Sequence, residues 1–253
     1  MSDPQRIRTT VVDGVATVEL VRPEARNAVD LLMCDQLRAA FDEIDADESV
    51  HVVLLAAQGS VFCAGADLKE RTGKDAAWVR RRRIASFAAY AAVEACRRPV
   101  VALLQGAVVG SGGEIALAAD FALAADDVSF RFPEPHWGTV GATQRLQRAI
   151  GKRRAKELLF TNRRLAGGEA LELGLVSRLV PAAELADAGW ETARAIAAAP
   201  PTALSLTKRA VDLGAETDLD RGIRIEMAAI EQNLASGDWR AGVERFTTKG
   251  TRS

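Results

Sequence analysis

The chain has 253 residues, 48% of them hydrophobic, and a mean hydropathy near zero, which is enough apolar material to bury one sizeable core. A formal net charge of -1 and a pI of about 6.2 exclude a global basic field for nucleic acid and an acidic solvating tail. Cys34, Cys63 and Cys96 form no CxxC or Cys/His spacing and only two histidines are present, so no metal site is expected and a reducing cytoplasm fits best.

The opening MSDPQRIRTT has no apolar run of the kind that targets a chain. The most apolar tract, residues 100–113, is too short and too glycine-broken to span a bilayer, so no membrane association is expected. Residues 7–20 alternate around Asp13-Gly14 and predict a β-hairpin. After Arg22-Pro23, Asn27 is the predicted N-cap of a helix that carries Met33, Leu37, Phe41 and Ile44 at helical spacing. HVVLLAA, residues 51–57, reads as a buried strand. Residues 74–98 read as a long helix with Ile84, Phe87, Ala91 and Ala95 on its apolar side, stopped by Pro99. VVALL, residues 100–104, repeats the buried-strand pattern.

Further on, strands are predicted over 121–124 and 128–132, one basic amphipathic helix over 143–160, a short helix over 168–173 and a strand over 175–180. From Pro181 the pattern is helical: 182–199 and 202–214 flank Pro200-Pro201, and Leu219, Ile223, Ile230 and Leu234 mark a last amphipathic helix. HVVLLAAQGSVFCAGAD and VVALLQGAVVGSGGE each read as a strand, an extended piece and a helix start. The expected class is therefore α/β with stacked β-β-α units. A mixed core over residues 1–180 precedes a helical region, 181–253, that packs on a neighbour.

Glycine-rich turns between a buried strand and a helix let backbone N–H groups approach a ligand, and the helix start adds unpaired donors and a positive dipole end. GSGGE and CAGAD match neither phosphate-binding glycine pattern. One N–H from each turn would make an oxyanion hole, whose donors are each worth on the order of 3 kcal/mol to a transition state. Glu114, within the second turn, has two open readings: an acid acting on a substrate, or a complement to the helix dipole. Glu134, held between Pro133 and Pro135, is a second candidate acid, with a solvated loop glutamate as the equal alternative.

FCAGADLKE, VVGSGGEIALAAD, FPE at 132–134 and TQRLQRAIGKRRAKELLFT together resemble the enoyl-CoA hydratase/isomerase, or crotonase, family, and RPEARNAV, GLVSRLVP and FTTK are also similar. GADLKER and TKRAVDLGAETDLDRGIRIE are most similar to its methylglutaconyl-CoA hydratase branch. The resemblance implies a crotonase-like superhelix with a helical trimerisation region. It implies that the backbone N–H groups of Ala66 and Ser111 hold a thioester oxygen while Glu114 and Glu134 flank the α and β carbons. It places coenzyme A and the acyl group against Ala25, Arg26, Ala64, Gly65, Asp67, Leu68 and Gly110, with the Ala64 carbonyl on the adenine amino group and Lys249 on the phosphates. The implied partner is an acyl-CoA thioester, the implied assembly a homotrimer or homohexamer, and no cofactor is implied beyond the coenzyme A of the substrate.

The chain departs from the family pattern at Ser111, where glycine is usual, and at GTVGATQRL, three residues shorter than the usual turn after the second glutamate. Pro135, His136 and Trp137 are bulkier than the usual aliphatics. The leading expectation is addition of water to a 2-enoyl-CoA. An isomerase, a hydrolase or a decarboxylase on the same scaffold is the first alternative. RNA binding through the arginine-rich helices is the second, but four successive arginines, 80–83, point around a helix and are expected to be solvated. His136 is expected on the surface or the pocket wall.

Overall fold

The computed structural model describes residues 4–237, 239–240 and 243–244. Strands β1 (Ile7–Val12) and β2 (Val15–Leu20) form the antiparallel hairpin at the edge of a sheet. Beyond them β3 (Val52–Ala57), β4 (Val100–Leu104), β6 (Phe121–Ala125) and β9 (Arg178–Val180) add in parallel, in the order β1-β2-β3-β4-β6-β9. A smaller sheet, β5 (Ala107–Val109), β7 (Ser129–Arg131) and β8 (Leu165–Ala166), runs in the order β5-β7-β8. Cys63 bridges Val108 of β5, so the extended piece after β3 lies against the second sheet. That is the stacked β-β-α arrangement expected from the two strand-glycine-helix stretches.

Every residue of β4 is buried, as a strand covered on both faces requires. Alternate residues serve different cores. Val53, Leu55, Ala102 and Leu104 face the main core with α1 (Leu31–Ala46) and α2 (Ala76–Ala95). Val52, Leu54, Val101 and Leu103 face α7 (Leu185–Ala197) on the opposite side. Gly189 of α7 is a close-approach glycine, because a Cβ there would lie 2.6 Å from Leu103.

Three local expectations are corrected. The N-cap of α1 is Asp30, whose carboxylate accepts from Met33 N–H at 2.8 Å. Asn27 is instead a buried left-handed residue, φ 54°, whose side chain joins Arg22 N–H to the carbonyls of Gln58 and Val61. The α2 helix buries Arg82, Ser86, Ala89, Tyr90 and Val93, and its Ile84 and Phe87 side is exposed. Arg82, the largest fully buried side chain, takes a core position because its guanidinium donates to Val29 O and Ser86 Oγ and pairs with Glu70 at 3.4 Å. Finally, residues 143–160 form two helices, α4 (Gln144–Ile150) and α5 (Lys152–Thr161), broken at Gly151, where φ is 80°.

Helix α6 (Gly167–Glu172) precedes β9. After α7, helices α8 (Pro201–Ala215) and α9 (Leu219–Ser236) pack on each other and bury no residue completely. Val211, Leu219, Ile223 and Met227 on them are exposed. Among the described residues no helix is long and apolar enough to cross a membrane.

Candidate active site

Between the turn after β3 and the start of α3 (Ser111–Ala118) lies a cavity of about 450 Å³. Arg26, Ala64, Gly65, Ala66, Leu68, Gly110, Ser111 and Glu134 all line it. The two glycine turns therefore meet at one place.

The first turn aims Ala66 by strand pairing. Val29 N–H donates to Gly65 O at 2.8 Å and Asp67 N–H donates to Val29 O at 2.8 Å, which makes Ala66 the bridging residue opposite Val29. In a parallel bridge of that form, the N–H of the bridging residue points away from its partner strand. The second turn aims Ser111 by helix geometry. Ser111 is the first residue of α3, and a first-turn N–H has no partner within its own helix. Among the described residues, neither N–H donates to a protein acceptor.

Glycine is required where these pieces touch. Gly110 has φ 47° and ψ -106°, and a Cβ on it would sit 2.8 Å from Glu134 Oε1. A Cβ on Gly112 would lie 2.7 Å from Cys63 Cβ, and one on Gly113 would lie 2.5 Å from the Phe132 ring. The sequence GSGG is thus how α3 packs against both the first turn and the strand leading to Glu134.

The two acids occupy unlike surroundings. Glu114 is 6% exposed and its Oε2 lies 3.0 Å from Arg145 Nη1 of α4, which also pairs with Glu94 at 2.6 Å. Glu134 is 8% exposed and begins a 3-10 turn, Glu134–Trp137. Its Oε2 is buried and has no hydrogen-bond partner among the described residues. Burial pushes the Glu134 carboxyl above its ordinary range and the neighbouring Glu114 adds to this, while its own backbone N–H and Arg83 oppose it. The short loop after it folds back: Thr139 N–H donates to Glu134 O at 3.0 Å, and a Cβ on Gly141 would be 2.9 Å from Glu134 Cγ.

Not every expected site residue faces the cavity. Glu114 lies behind its lining, next to Glu134. Ala25 ends a 3-10 turn beside Arg26. Asp67 pairs with Arg22 at 2.8 Å, and against the burial that would raise it this guanidinium holds its carboxyl below the ordinary range. Lys249, together with FTTK, lies outside the described residues. His136 is exposed, with its ring Nε2 2.8 Å from Phe160 O.

The arginine run is the main site feature that the sequence reading missed. Arg82 is in the core, and Arg83 lines the cavity and donates to Thr139 Oγ1. The expectation of four solvated side chains fails because α2 turns its 82, 86, 89, 93 face inward. Arg71, Arg131, Arg164, Trp137 and Thr139 also line the cavity.

The sequence matches the enoyl-CoA hydratase/isomerase family over residues 10–252. The chain belongs to that family. It is 37% identical over 255 residues to the human mitochondrial enoyl-CoA hydratase domain-containing protein 2, covering 94% of this chain and 84% of that one. It is 38% identical over 248 residues to an enoyl-CoA isomerase/hydratase of Mycosarcoma maydis, covering 93% and 90%. The crystal structure of an enoyl-CoA hydratase from Bacillus anthracis superposes with a TM-score of 0.94 at 35% identity, covering 97% of each chain. The cavity between the two turns is therefore the candidate site of a hydratase/isomerase-family enzyme.

Proposed function

We propose that this family member is a hydratase that adds water reversibly across the double bond of a 2-enoyl-CoA thioester. The observation that carries the reading is a pair of neighbouring acids in unlike environments: Glu114, off the cavity lining and paired with Arg145, and Glu134, which lines the cavity together with Ala66 and Ser111 and whose buried Oε2 has no hydrogen-bond partner among the described residues. Moving a double bond needs one base that takes a proton and returns it. Adding water needs two groups, one for the proton leaving water and one for the proton arriving at carbon.

In this reading the thioester oxygen accepts from Ala66 and Ser111 N–H. Glu114 takes a proton from water as the water oxygen bonds to the β carbon, and the π electrons move into an enolate whose charge the two N–H groups stabilise. Glu134, whose raised proton affinity suits a donor, protonates the α carbon. Transfer of the proton from Glu114 back to Glu134, directly or through solvent, restores the starting state.

The coenzyme A portion of the substrate leaves through the mouth, with its adenine at Ala64 and its near part at Ala25 and Arg26. Arg26, Arg131 and Arg164 are exposed there and suit its phosphates. The reaction uses no further cofactor. The apolar faces of α8 and α9 are assigned to contacts between copies in a homotrimer or homohexamer, with residues 181–253 as the assembly region. Three unpaired, buried cysteines suit a reducing compartment, the cytoplasm in this reading.

The test is incubation with straight and branched 2-enoyl-CoA and 3-enoyl-CoA thioesters, following conjugated-olefin absorbance and mass. Hydration lowers the absorbance and adds one water. A rise in absorbance at constant mass, from 3-enoyl substrates only, would make the protein an isomerase.

A further inference from the structure

The two N–H donors of the cavity are supported differently. Ser111 N–H opens α3, an eight-residue helix whose positive dipole end faces the cavity. No α-helix starts at Ala66, so its N–H has no dipole of that kind behind it. What stands behind it is a chain of hydrogen bonds. Ala66 N–H and Gly65 C=O belong to one peptide group, and in a trans peptide the two point in opposite directions. Gly65 O accepts from Val29 N–H at 2.8 Å, which turns Ala66 N–H the other way, toward the cavity that Ala66 lines.

Val29 N–H in turn shares a peptide group with Ala28 C=O, and Ala28 O accepts from Arg22 Nη1 at 2.8 Å. The donors therefore run from the Arg22 guanidinium through two peptide groups to Ala66 N–H, which has no protein acceptor among the described residues. Each bond in such a chain polarises the next, and a cation at its head makes every N–H along it a better donor. Arg22 is fixed at that head: its Nη1 also lies 2.8 Å from Asp67 Oδ2 and 3.4 Å from Asp30 Oδ2, and Asp30 is itself paired with Arg6 at 2.9 Å. The two carboxylates offset the Arg22 charge at long range, so its effect on the site is carried through the bond to Ala28 O. Arg22, Ala28 and Val29 all lie behind the cavity lining.

We propose that Arg22 is a positioning residue for the Ala66 N–H, which it aims and polarises through Val29 and Gly65 without touching the substrate. This rests on the reading of Ala66 and Ser111 as donors to a thioester oxygen. A group that stabilises charge on that oxygen acts more strongly on the enolate-like transition state than on the bound thioester. Its loss should therefore fall on kcat rather than on substrate affinity.

The experiment follows the carbonyl of bound butyryl-CoA, ¹³C-labelled at the thioester carbon, by difference infrared spectroscopy. A saturated chain takes up no water, so this readout is independent of the reaction. Wild type is compared with Arg22→Gln, with Arg22→Lys, and with Arg22→Gln combined with Asp67→Asn, which strands no carboxylate. Binding to the wild type should lower the carbonyl frequency. The Gln variants should keep about half of that displacement or less, with butyryl-CoA affinity within about threefold of wild type and kcat for 2-enoyl-CoA about 10-fold lower, less than the loss of a whole donor. Arg22→Lys, which returns a cation to Ala28 O, should restore most of both. A full displacement in the folded Gln variants overturns the proposal, and so does a Lys variant no better than Gln. If no variant folds, hydrogen exchange resolved to single amides of the wild type decides. Val29 N–H should be protected in the free protein and Ala66 N–H only once butyryl-CoA is bound, whereas rapid exchange at Val29 overturns the chain. Failure of butyryl-CoA to bind the wild type, or binding that changes neither the carbonyl frequency nor exchange at Ala66, overturns the thioester reading itself, and the proposal with it.

Discussion

Arg145 Nη1 lies 3.0 Å from Glu114 Oε2, whereas the Oε2 of the neighbouring Glu134 is buried with no partner among the described residues. One carboxyl is supplied with a cation, whereas burial raises the other above its ordinary range. Unlike environments for paired acids are how a site assigns a proton acceptor and a proton donor.

Glu134→Gln removes the transferable proton while keeping the shape of the side chain. It is expected to lower kcat by about 10²- to 10⁴-fold, the usual range for a positioned acid. Steady-state hydration kinetics measure this, with titration of a saturated acyl-CoA to show that binding persists.

The same variant is expected to change the pH dependence of stability. Because the folded Glu134 carboxyl titrates above its ordinary value, folding takes up a proton between the unfolded and folded pKa values. Wild-type stability therefore falls as pH rises through that window and stays lower above it. Glu134→Gln lacks this loss, so its Tm advantage should be absent in acid and grow to a plateau toward neutral pH. About 1.4 kcal/mol follows from each unit of displacement, and each kcal/mol is worth about 2–4 °C in a chain of this size. Thermal melts across pH check the sign.

Arg145→Met leaves Glu114 buried without its cation. The expected cost is about 3 kcal/mol of stability, since breaking one side of a buried pair strands the other charge. Denaturant unfolding measures it, and hydration should fall in the same variant because the acceptor for the water proton loses its fixed orientation.

Gly110→Ala places a methyl group 2.8 Å from Glu134 Oε1 on a backbone with φ 47°. The strain costs about 1–3 kcal/mol, and displacement of the acid by a fraction of an ångström should lower kcat by about 10²-fold. Activity should fall further than stability alone explains, which a melt and a rate on the same sample decide.

Ile223→Asp with Met227→Asp puts charges on the exposed apolar face of α9. If that face joins copies of the chain, light scattering should show a trimer or hexamer for the wild type and a smaller species for the double variant. An unchanged mass would place the assembly contact elsewhere.

Much of the fold was legible in the sequence because its strands are apolar runs bounded by glycine or proline, and β3 and β4 stand where HVVLLAA and VVALL predict. Helix faces were less legible. In α2 the sequence offers Ile84 and Phe87 as a core stripe, but the fold buries Arg82 because Val29 O, Ser86 Oγ and Glu70 satisfy it, partners no periodicity reveals. The same blindness hid Arg83 and Arg71 from the site. That Ala66, Ser111 and Glu134 share one cavity was legible because glycine turns and a resemblance pointed to them. Arg145, inside the quoted TQRL, could have been found by asking what neutralises a buried Glu114.

The measurement that bears most directly on the central claim is a single turnover of a 2-enoyl-CoA in ¹⁸O-labelled water, wild type beside Glu134→Gln, read by mass spectrometry. The account predicts one labelled oxygen in the wild-type product and almost none from the variant on the same timescale. Label incorporation by the variant at the wild-type rate, or a wild-type product without label, would contradict it.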